Sequence, residues 1–343
     1  MLLAIPFSEP FVAMLGVAPG VAALSGRCLA ILLAFSIPLA VEFTLSQALR
    51  GAGDMRTPLA IGAASIVLNA VGDYALIFGR LGAPELGAEG SAWASAGAYA
   101  AGSIALYWLW VRRHLVLPAG RWRGSLSRLL AWRMLRVGIP SVLEQAAFQG
   151  GLLAFMAVVT DFGTEAISAY LIGVRILAFC FVPGFGFAMA AATLVGQSLG
   201  AEHPDQAERA GWRGAGGAVG VMSGLGLVIV AIARPLAELF GAAGAATTTL
   251  TVSFIYILGA AQPLMAIEFS LAGALRGAGD TRFPLYVTLL GLFFVRLGAA
   301  VLIAKPLFGS VVAVWLCLIA DYACKAMLLT WRFARGRWKQ IAI

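Results

Sequence analysis

Charge is scarce in this chain. Asp, Glu, Lys and Arg make up 12% of its 343 residues, about half of the roughly 25% that a soluble domain carries on its wetted surface. That scarcity excludes the two or three soluble domains that the length alone would allow. Histidine occurs only as His114 and His203, both between apolar stretches, so no metal site is expected and an intramembrane enzyme would lack its commonest base. The four cysteines, Cys28, Cys180, Cys317 and Cys324, lie in apolar stretches, with neither metal-ligand spacing nor the pattern of a disulfide framework. No Walker sequence is present, and the GFG at Gly184–Gly186 follows no strand, which excludes a nucleotide site and ATP-driven transport by this chain. The chain is therefore not expected to be an enzyme, and no resident cofactor is implied.

Apolar residues fill the space that charge leaves. They make up 61% of the chain, and the mean hydropathy is +0.91. Glycine numbers 41 without a collagen-like period, which suits membrane helices, where small residues let backbones approach. Nine apolar stretches follow one another at roughly 28–49, 58–79, 91–111, 138–160, 170–197, 213–234, 249–274, 284–304 and 308–331. Each is long enough to cross a hydrocarbon core of about 30 Å at about 1.5 Å per residue, and helix satisfies every backbone polar group within one segment. The expectation is an all-α polytopic membrane protein with the lipid bilayer as its solvent. Met1–Phe7 is a stub too short to span, and without basic residues it does not read as a signal peptide. Pro38, Pro140, Pro183 and Pro263 fall inside spans, and each is expected to kink its helix.

The net charge of +8 would suggest a nucleic-acid partner in a soluble chain. Here the basic residues sit in short connections, and the positive-inside rule accounts for them instead. Arg50, Arg56, Arg209, Arg213, Arg276 and Arg282, the seven arginines of a 112–137 linker, and Arg332, Arg335, Arg337 and Lys339 of a 332–343 tail all stand on one side. Only Arg27, Arg80, Arg175, Arg234 and Lys305 stand on the other, and Arg296 and Lys325 lie within spans. This bias puts the linker and the C-terminus in the cytoplasm, in a plasma membrane that would be the inner membrane of a bacterium.

An internal repeat organises the chain. QALRGAGDMRTP at Gln47–Pro58 returns as GALRGAGDTRFP at Gly273–Pro284, at an offset of 226 throughout. Glu42 maps onto Glu268 at the same offset, and Pro10 and Gly16 map onto Pro235 and Gly241 with a one-residue slip. The seven-residue identity ALRGAGD, flanked by helices of matching length, implies two homologous helix bundles. These are an incomplete N-terminal bundle of three helices plus a stub (1–111), the cytoplasmic Arg-rich linker (112–137), a six-helix C-terminal bundle (138–331) and a cytoplasmic tail (332–343). Both copies of the loop fall on one side, so the bundles are parallel repeats about an axis along the membrane normal. The counterpart of roughly 136–225 would precede Met1, about 90 residues, so the expectation is a twelve-span plan lacking its first two helices and most of the third.

With these residues in hand, the sequence resembles the MATE (multidrug and toxic compound extrusion) family. The doubled LRGAGDxRxP loop, GIPSVLEQ at Gly138–Gln145 and VGQSLGA at Val195–Ala201 carry the resemblance, which covers essentially the whole chain. It implies two six-helix bundles forming a V around a central cavity, and export of organic, often cationic, compounds in exchange for protons or sodium. Asn69 and Asp73 resemble the Asn-x-x-x-Asp of the proton-coupled, DinF-type branch, and Ser95 stands where those relatives often have Thr. The resemblance thus implies a cation- or proton-coupling role for these three. The acid pair of the sodium-type relatives is unmatched, since Phe148 and Met265 fall at those places.

The residues also speak for themselves. Asp73 lies within a span with Asn69 one helical turn earlier on the same face, and a carboxylate in hydrocarbon is costly enough that it usually marks an ion or proton path. The bland alternative is an acid near the outer interface reaching for water. Glu42 and Glu268 recur at equivalent depth, either as cavity-lining acids that attract cations or as structural ion pairs steadying each bundle. Glu144 and Gln145 follow Pro140, where a freed carbonyl and an acid could hold a cation, although a solvated helix end is the favoured reading. Arg296, Asp321 and Lys325 read as a structural ion pair set. Arg50, Asp54, Arg276 and Asp280 belong to the two glycine-rich loops, which read as structural hinges rather than substrate contacts.

The leading expectation is a secondary active antiporter, monomeric when full length, that exports small amphipathic organic compounds by alternating access, with protons favoured over sodium. A lipid-linked saccharide flippase is the alternative within transport, although it needs a strongly cationic cavity and only Arg296 and Lys325 are basic within spans. A passive channel and a non-functional fragment of a transporter also remain open at this stage.

Overall fold

The computed structural model describes residues 2–13, 18–112, 114–117, 127–241 and 244–341, the side chains of 2–4 aside. Among the described residues the regular structure is all helical. The chain separates into two compact units, Met1–Arg123 and Gly124–Ile343.

In the N-terminal unit a 3-10 turn at Leu2–Phe7 leads into α1 (Ser8–Ala13). The single span expected at 28–49 is instead two helices, α2 (Pro19–Ala34) and α3 (Ser36–Gly51), bent by 52° at Phe35. Pro38 explains the break: it has no N–H to give the carbonyl of Ala34, and its ring crowds that carbonyl. α2 also starts earlier than hydropathy alone suggested, because Pro19 sits at its first position, where a missing N–H costs nothing. α4 (Arg56–Phe78) stops at Gly79, which takes the left-handed conformation at φ 63°, and α5 (Ala88–Val111) returns beside it. Small residues set that pairing. A Cβ built on Gly72 would lie 2.9 Å from the Ala94 Cβ, and one on Gly90 would lie 2.6 Å from the Leu76 carbonyl.

The C-terminal unit begins with α6 (Arg128–Thr160), capped by the Ser127 hydroxyl, which accepts from the Leu130 N–H at 3.1 Å. The 112–137 linker is thereby shortened, since Arg128, Arg133 and Arg136 are helical; Arg113, Arg121 and Arg123 lie outside the described residues. α7 (Thr164–Gly200), α8 (Pro204–Ala231), α9 (Ala233–Leu239) and α10 (Ala245–Gly277) follow. α11 (Arg282–Leu289) continues through π-helical turns at Leu290–Gly298 and Ala300–Ala304 into α12 (Lys305–Phe308), and α13 (Val311–Ala334) completes the unit. Pro140, Pro183 and Pro263 sit inside unbroken helices, so of the four prolines only Pro38 interrupts its span. The segment expected as a tail packs instead: Arg332 is still in α13, and the buried Trp338 stacks on Phe333 at 4.6 Å and donates to its carbonyl at 2.8 Å.

Seven described helices are long and apolar enough to cross a membrane, or up to eight with the bent α2–α3 pair. That corrects the nine expected. The ninth, α5, has the length at 24 residues but is not among these spans; glycine, serine, tryptophan and tyrosine interleave its apolar residues. The core of the C-terminal unit is aromatic and aliphatic: Phe254 and Trp315 are wholly buried with rings 4.8 Å apart, flanked by Phe155 and Tyr170. Outward faces carry bare Leu153, Leu227 and Phe294, a surface suited to hydrocarbon.

The repeated loops share one backbone. In the first, the Asp54 N–H donates to the Leu49 carbonyl at 2.9 Å, the Gly53 N–H to Arg50 at 3.0 Å and the Ala52 N–H to Ala48 at 2.9 Å. In the second, the Asp280 N–H donates to Leu275 at 2.9 Å, Gly279 to Arg276 at 3.0 Å and Ala278 to Ala274 at 3.0 Å. Gly53 and Gly279 stand at φ 92° and 82°, a conformation that costs glycine nothing and an L-residue with a side chain a good deal. The packing beneath differs. Gly273 and Gly277 of α10 lie against the backbones of Ala188 and Ala192 of α7, with no space for a methyl group at either, the small-residue contact favoured between membrane helices.

Candidate functional site

In the N-terminal unit, α4 aligns Ser65, Asn69 and Asp73 at four-residue steps, which puts them on one face along about 12 Å of helix. Asn69 donates from Nδ2 to the Ser95 hydroxyl of α5 at 3.1 Å. Ser65 donates to the Glu42 Oε1 of α3 at 3.3 Å, so Glu42 joins the same polar line. All are half-buried. One oxygen of each acid, Glu42 Oε2 and Asp73 Oδ1, is buried with no hydrogen-bond partner. The Glu42 carboxylate lies flat against α5 at Gly102, where a built Cβ would come within 2.7 Å of both its oxygens. Three helices thus hold two acids, an amide and two hydroxyls, with acceptor capacity in excess. An orphaned buried acceptor costs about 1–3 kcal/mol, a deficit that a proton or a small cation would relieve.

The C-terminal unit treats the matching acid differently. Lys325 Nζ lies 3.4 Å from Glu268 Oε1 and 3.2 Å from Asp321 Oδ2, and Arg296 Nη2 lies 2.5 Å from the same Asp321 oxygen. The side chains of Asp321 and Lys325 are fully buried. Two cations and two anions make a neutral set, and the Arg296 guanidinium also faces the rings of Phe155 and Tyr322 at 5.8 and 5.1 Å. Gly291, on the π-helical stretch, lets this set close: any Cβ there would collide with the Asp321 carboxylate and the Lys325 stem.

Glu144 departs from the expected solvated helix end. It is buried, and Arg276 grips it with Nη2 to Oε1 at 2.6 Å and Nε to Oε2 at 3.3 Å, while the Thr288 hydroxyl donates to Oε1 at 3.3 Å. The partner, Arg276, stands in the last turn of α10 at the start of the repeated motif. Gln145 is exposed. Within the loops, Asp280 accepts from Arg332 Nε at 2.8 Å and from the Phe283 N–H at 3.4 Å. Asp54 instead accepts from the N–H groups of Thr57 and Arg56 at 3.0 and 3.1 Å, and Arg50 donates to Gln47 at 3.2 Å. Hydrogen bonds from the Thr57 side chain and then its backbone hold the Asp54 carboxyl below its ordinary range.

Of the three residues the sequence grouped, Asn69 and Ser95 are hydrogen-bonded and Asp73 shares the Asn69 face of α4, while Glu42, which the sequence kept apart, joins through Ser65. It missed Ser65 and Gly102, which carry no signal in a chain so rich in glycine, and it missed the tie between Glu268 and Lys325. The signal for the tie was present: with so few charges in the spans, opposite ones in one bundle are expected to pair. No group of three or more metal-ligating side chains occurs among the described residues.

A bundle of apolar helices carrying a half-buried acid–amide–hydroxyl line marks a polytopic membrane protein. The family model MatE matches residues 1–75 and 140–302, and the chain belongs to that family, whose members are transporters and not enzymes. It is 30% identical over 328 residues to the "Probable multidrug resistance protein NorM" of Thermotoga maritima, covering 92% of this chain and 68% of that protein. It is 27% identical over 285 residues to the protein of the same description from Brucella suis, covering 81% of this chain and 60% of that protein. In three dimensions it resembles a solved MOP superfamily transporter from Pyrococcus furiosus, with a TM-score of 0.90 at 21% identity over 98% of this chain and 75% of that one. That likeness concerns the fold.

Proposed function

We propose that the chain is a multidrug efflux transporter working as a secondary antiporter: it exports amphipathic organic compounds by alternating access, and inward movement of protons, with sodium as the lesser candidate, drives the cycle through Asp73, Asn69, Ser95 and Glu42. The observation that carries this reading is that Asp73 and Glu42, each with a buried carboxylate oxygen lacking a hydrogen-bond partner, form no ion pair among the described residues. Glu268 and Asp321 also have such oxygens, but they stand beside Lys325 and Arg296. A proton on either acid turns an orphaned acceptor into a donor. The printed descriptions of the NorM relatives support the multidrug assignment. The saccharide flippase is disfavoured because both intramembrane cations, Arg296 and Lys325, are already neutralised by Asp321 and Glu268, which leaves little positive charge for an anionic headgroup. In this reading both glycine-rich loops and the C-terminus face the cytoplasm, in keeping with the bias of basic residues.

The test is gradient-driven efflux of a fluorescent organic cation from proteoliposomes. Asp73→Asn keeps the shape and removes the titratable charge. Export coupled to a proton gradient is expected to fall to background across roughly pH 6–8, and Asn69→Ala is expected to give a weaker loss. Wild-type export by Asp73→Asn over that range would sink the coupling role.

A further inference from the structure

The C-terminal unit has a second polar feature, which shares no lining residue with the Glu268–Lys325–Asp321–Arg296 set and is unused by the transport reading. At the end of the bundle where α6 starts and α10 turns into α11, a cavity of about 590 Å³ is lined by Trp132, Arg133, Arg136, Arg282, Tyr286 and the Asp280–Arg332 pair. Asp280 is neutralised by Arg332 at 2.7 Å. Arg133, Arg136 and Arg282 have no ion-pair partner among the described residues, and all three are exposed. The cavity therefore carries three uncompensated guanidinium groups. It is continuous, through Leu129 and Trp132, with a more open and nearly apolar groove of about 700 Å³ lined by Arg128, Leu129, Ala131, Trp132 and Leu135.

The geometry points to a binding site for an anionic phospholipid, its phosphate headgroup in the arginine cavity and its acyl chains along the groove. Arginine forks match phosphate oxygens in pairs. Basic pockets between helices at the membrane surface recognise acidic headgroups, and tryptophan and tyrosine are at home at that depth. The apolar groove distinguishes this occupant from a soluble phosphate compound, which would gain nothing from Leu129 and Leu135. The first turns of α6 explain why the sequence builds such a site. Its RLLAWRMLRV sets Leu129 and Trp132 on the same helix face as Arg128, Arg133 and Arg136, so one face offers both cations and apolar ground.

The test uses the full chain in nanodiscs of zwitterionic phosphatidylcholine, with phosphatidylglycerol brominated on its acyl chains added as probe. Trp132 quenching, isolated by subtracting a Trp132→Phe variant, is expected to saturate with phosphatidylglycerol at about tenfold lower mole fraction than with brominated phosphatidylcholine. The triple variant Arg133→Gln, Arg136→Gln, Arg282→Gln is expected to abolish that preference while its thermal unfolding in detergent is unchanged, since all three side chains are exposed. Equal quenching by the two lipids in the wild type, or an undiminished preference in a folded triple variant, would overturn the assignment. So would reversal of the quenching by millimolar inorganic phosphate, which would give the cavity to soluble anions. None of these readouts depends on transport, so the lipid site and the antiport reading can fail separately.

Discussion

Glu42 and Glu268 stand at equivalent places in two copies of one design and meet opposite fates. Each lies two turns before the same glycine-rich loop, yet Glu268 has Lys325 beside it and Glu42 has Gly102. Gly102 and Lys325 are also each the fifteenth residue of a 24-residue helix, α5 and α13. In the C-terminal unit the acid is locked into a neutral set of four. In the N-terminal unit the carboxylate presses on a bare backbone, with one hydroxyl as partner. The difference teaches that equivalent positions of a repeat can be used unequally: one unit pairs its acid with buried cations, and the other leaves its acid with a single hydroxyl, which is the contrast the proposed coupling role rests on.

The sharpest way to break that comparison is Asp321→Ala. It removes the anion shared by Arg296 and Lys325 and leaves an excess buried cation, so a loss of about 3–5 kcal/mol is expected, read as a fall in the unfolding temperature in detergent. Next in size is Gly102→Ala, which pushes a methyl into the Glu42 carboxylate and is expected to cost about 1–3 kcal/mol. Gly97→Ala in the same helix meets nothing within 4 Å and is expected to be neutral or to stabilise by up to about 1 kcal/mol; equal effects of the two would remove Gly102 from the argument. Glu42→Gln comes third. No counter-charge is orphaned, so stability is expected to hold within about 1 kcal/mol while coupled export drops several-fold; Glu268→Gln, which robs Lys325 of a partner, is expected to do the reverse. The smallest effect belongs to the loops. Because the folded Asp54 carboxyl titrates below its ordinary value of about 3.8, its contribution is present above that pH and fades as pH falls through the lower folded value. Asp54→Asn is expected to flatten a slight acid-side decline in the unfolding temperature and to change nothing near neutrality.

The fold was largely legible in the sequence, and the reason is the solvent. Hydrocarbon forces long apolar helices, and the doubled ALRGAGD marks where two of them turn, so helix type and repeat could be read without three-dimensional information. The errors have physical causes. Residues 128–137 were read as linker because arginine density suggests water, although the leucines, tryptophan and methionine between the arginines let the helix of the next span start early, at Arg128. The bend at Phe35 was anticipated from Pro38, but the early start at Pro19 was hidden by glycine and serine in α2. At the candidate site, Asn69 and Asp73 showed themselves by a four-residue step, whereas Glu42 reaches them only through the packing of α3 on α4 and α5. Glu144 was misjudged because its partner, Arg276, stands far along the chain in a loop that sequence alone assigns to solvent.

One consequence of the repeated loop reaches beyond this molecule. In the second copy, the stretch Gly273–Gly277 serves both as the run-in to a turn and as the seat on which α10 rests against α7; in the first copy, Gln47 already occupies the place of Gly273. In this chain the two copies are therefore packed unequally: Gly51 meets nothing within 4 Å, whereas Gly277 lies against Ala192. Mutational tolerance across the pair, measured position by position, is expected to be wider for 47–51 than for 273–277 and equal from the loop aspartates onward.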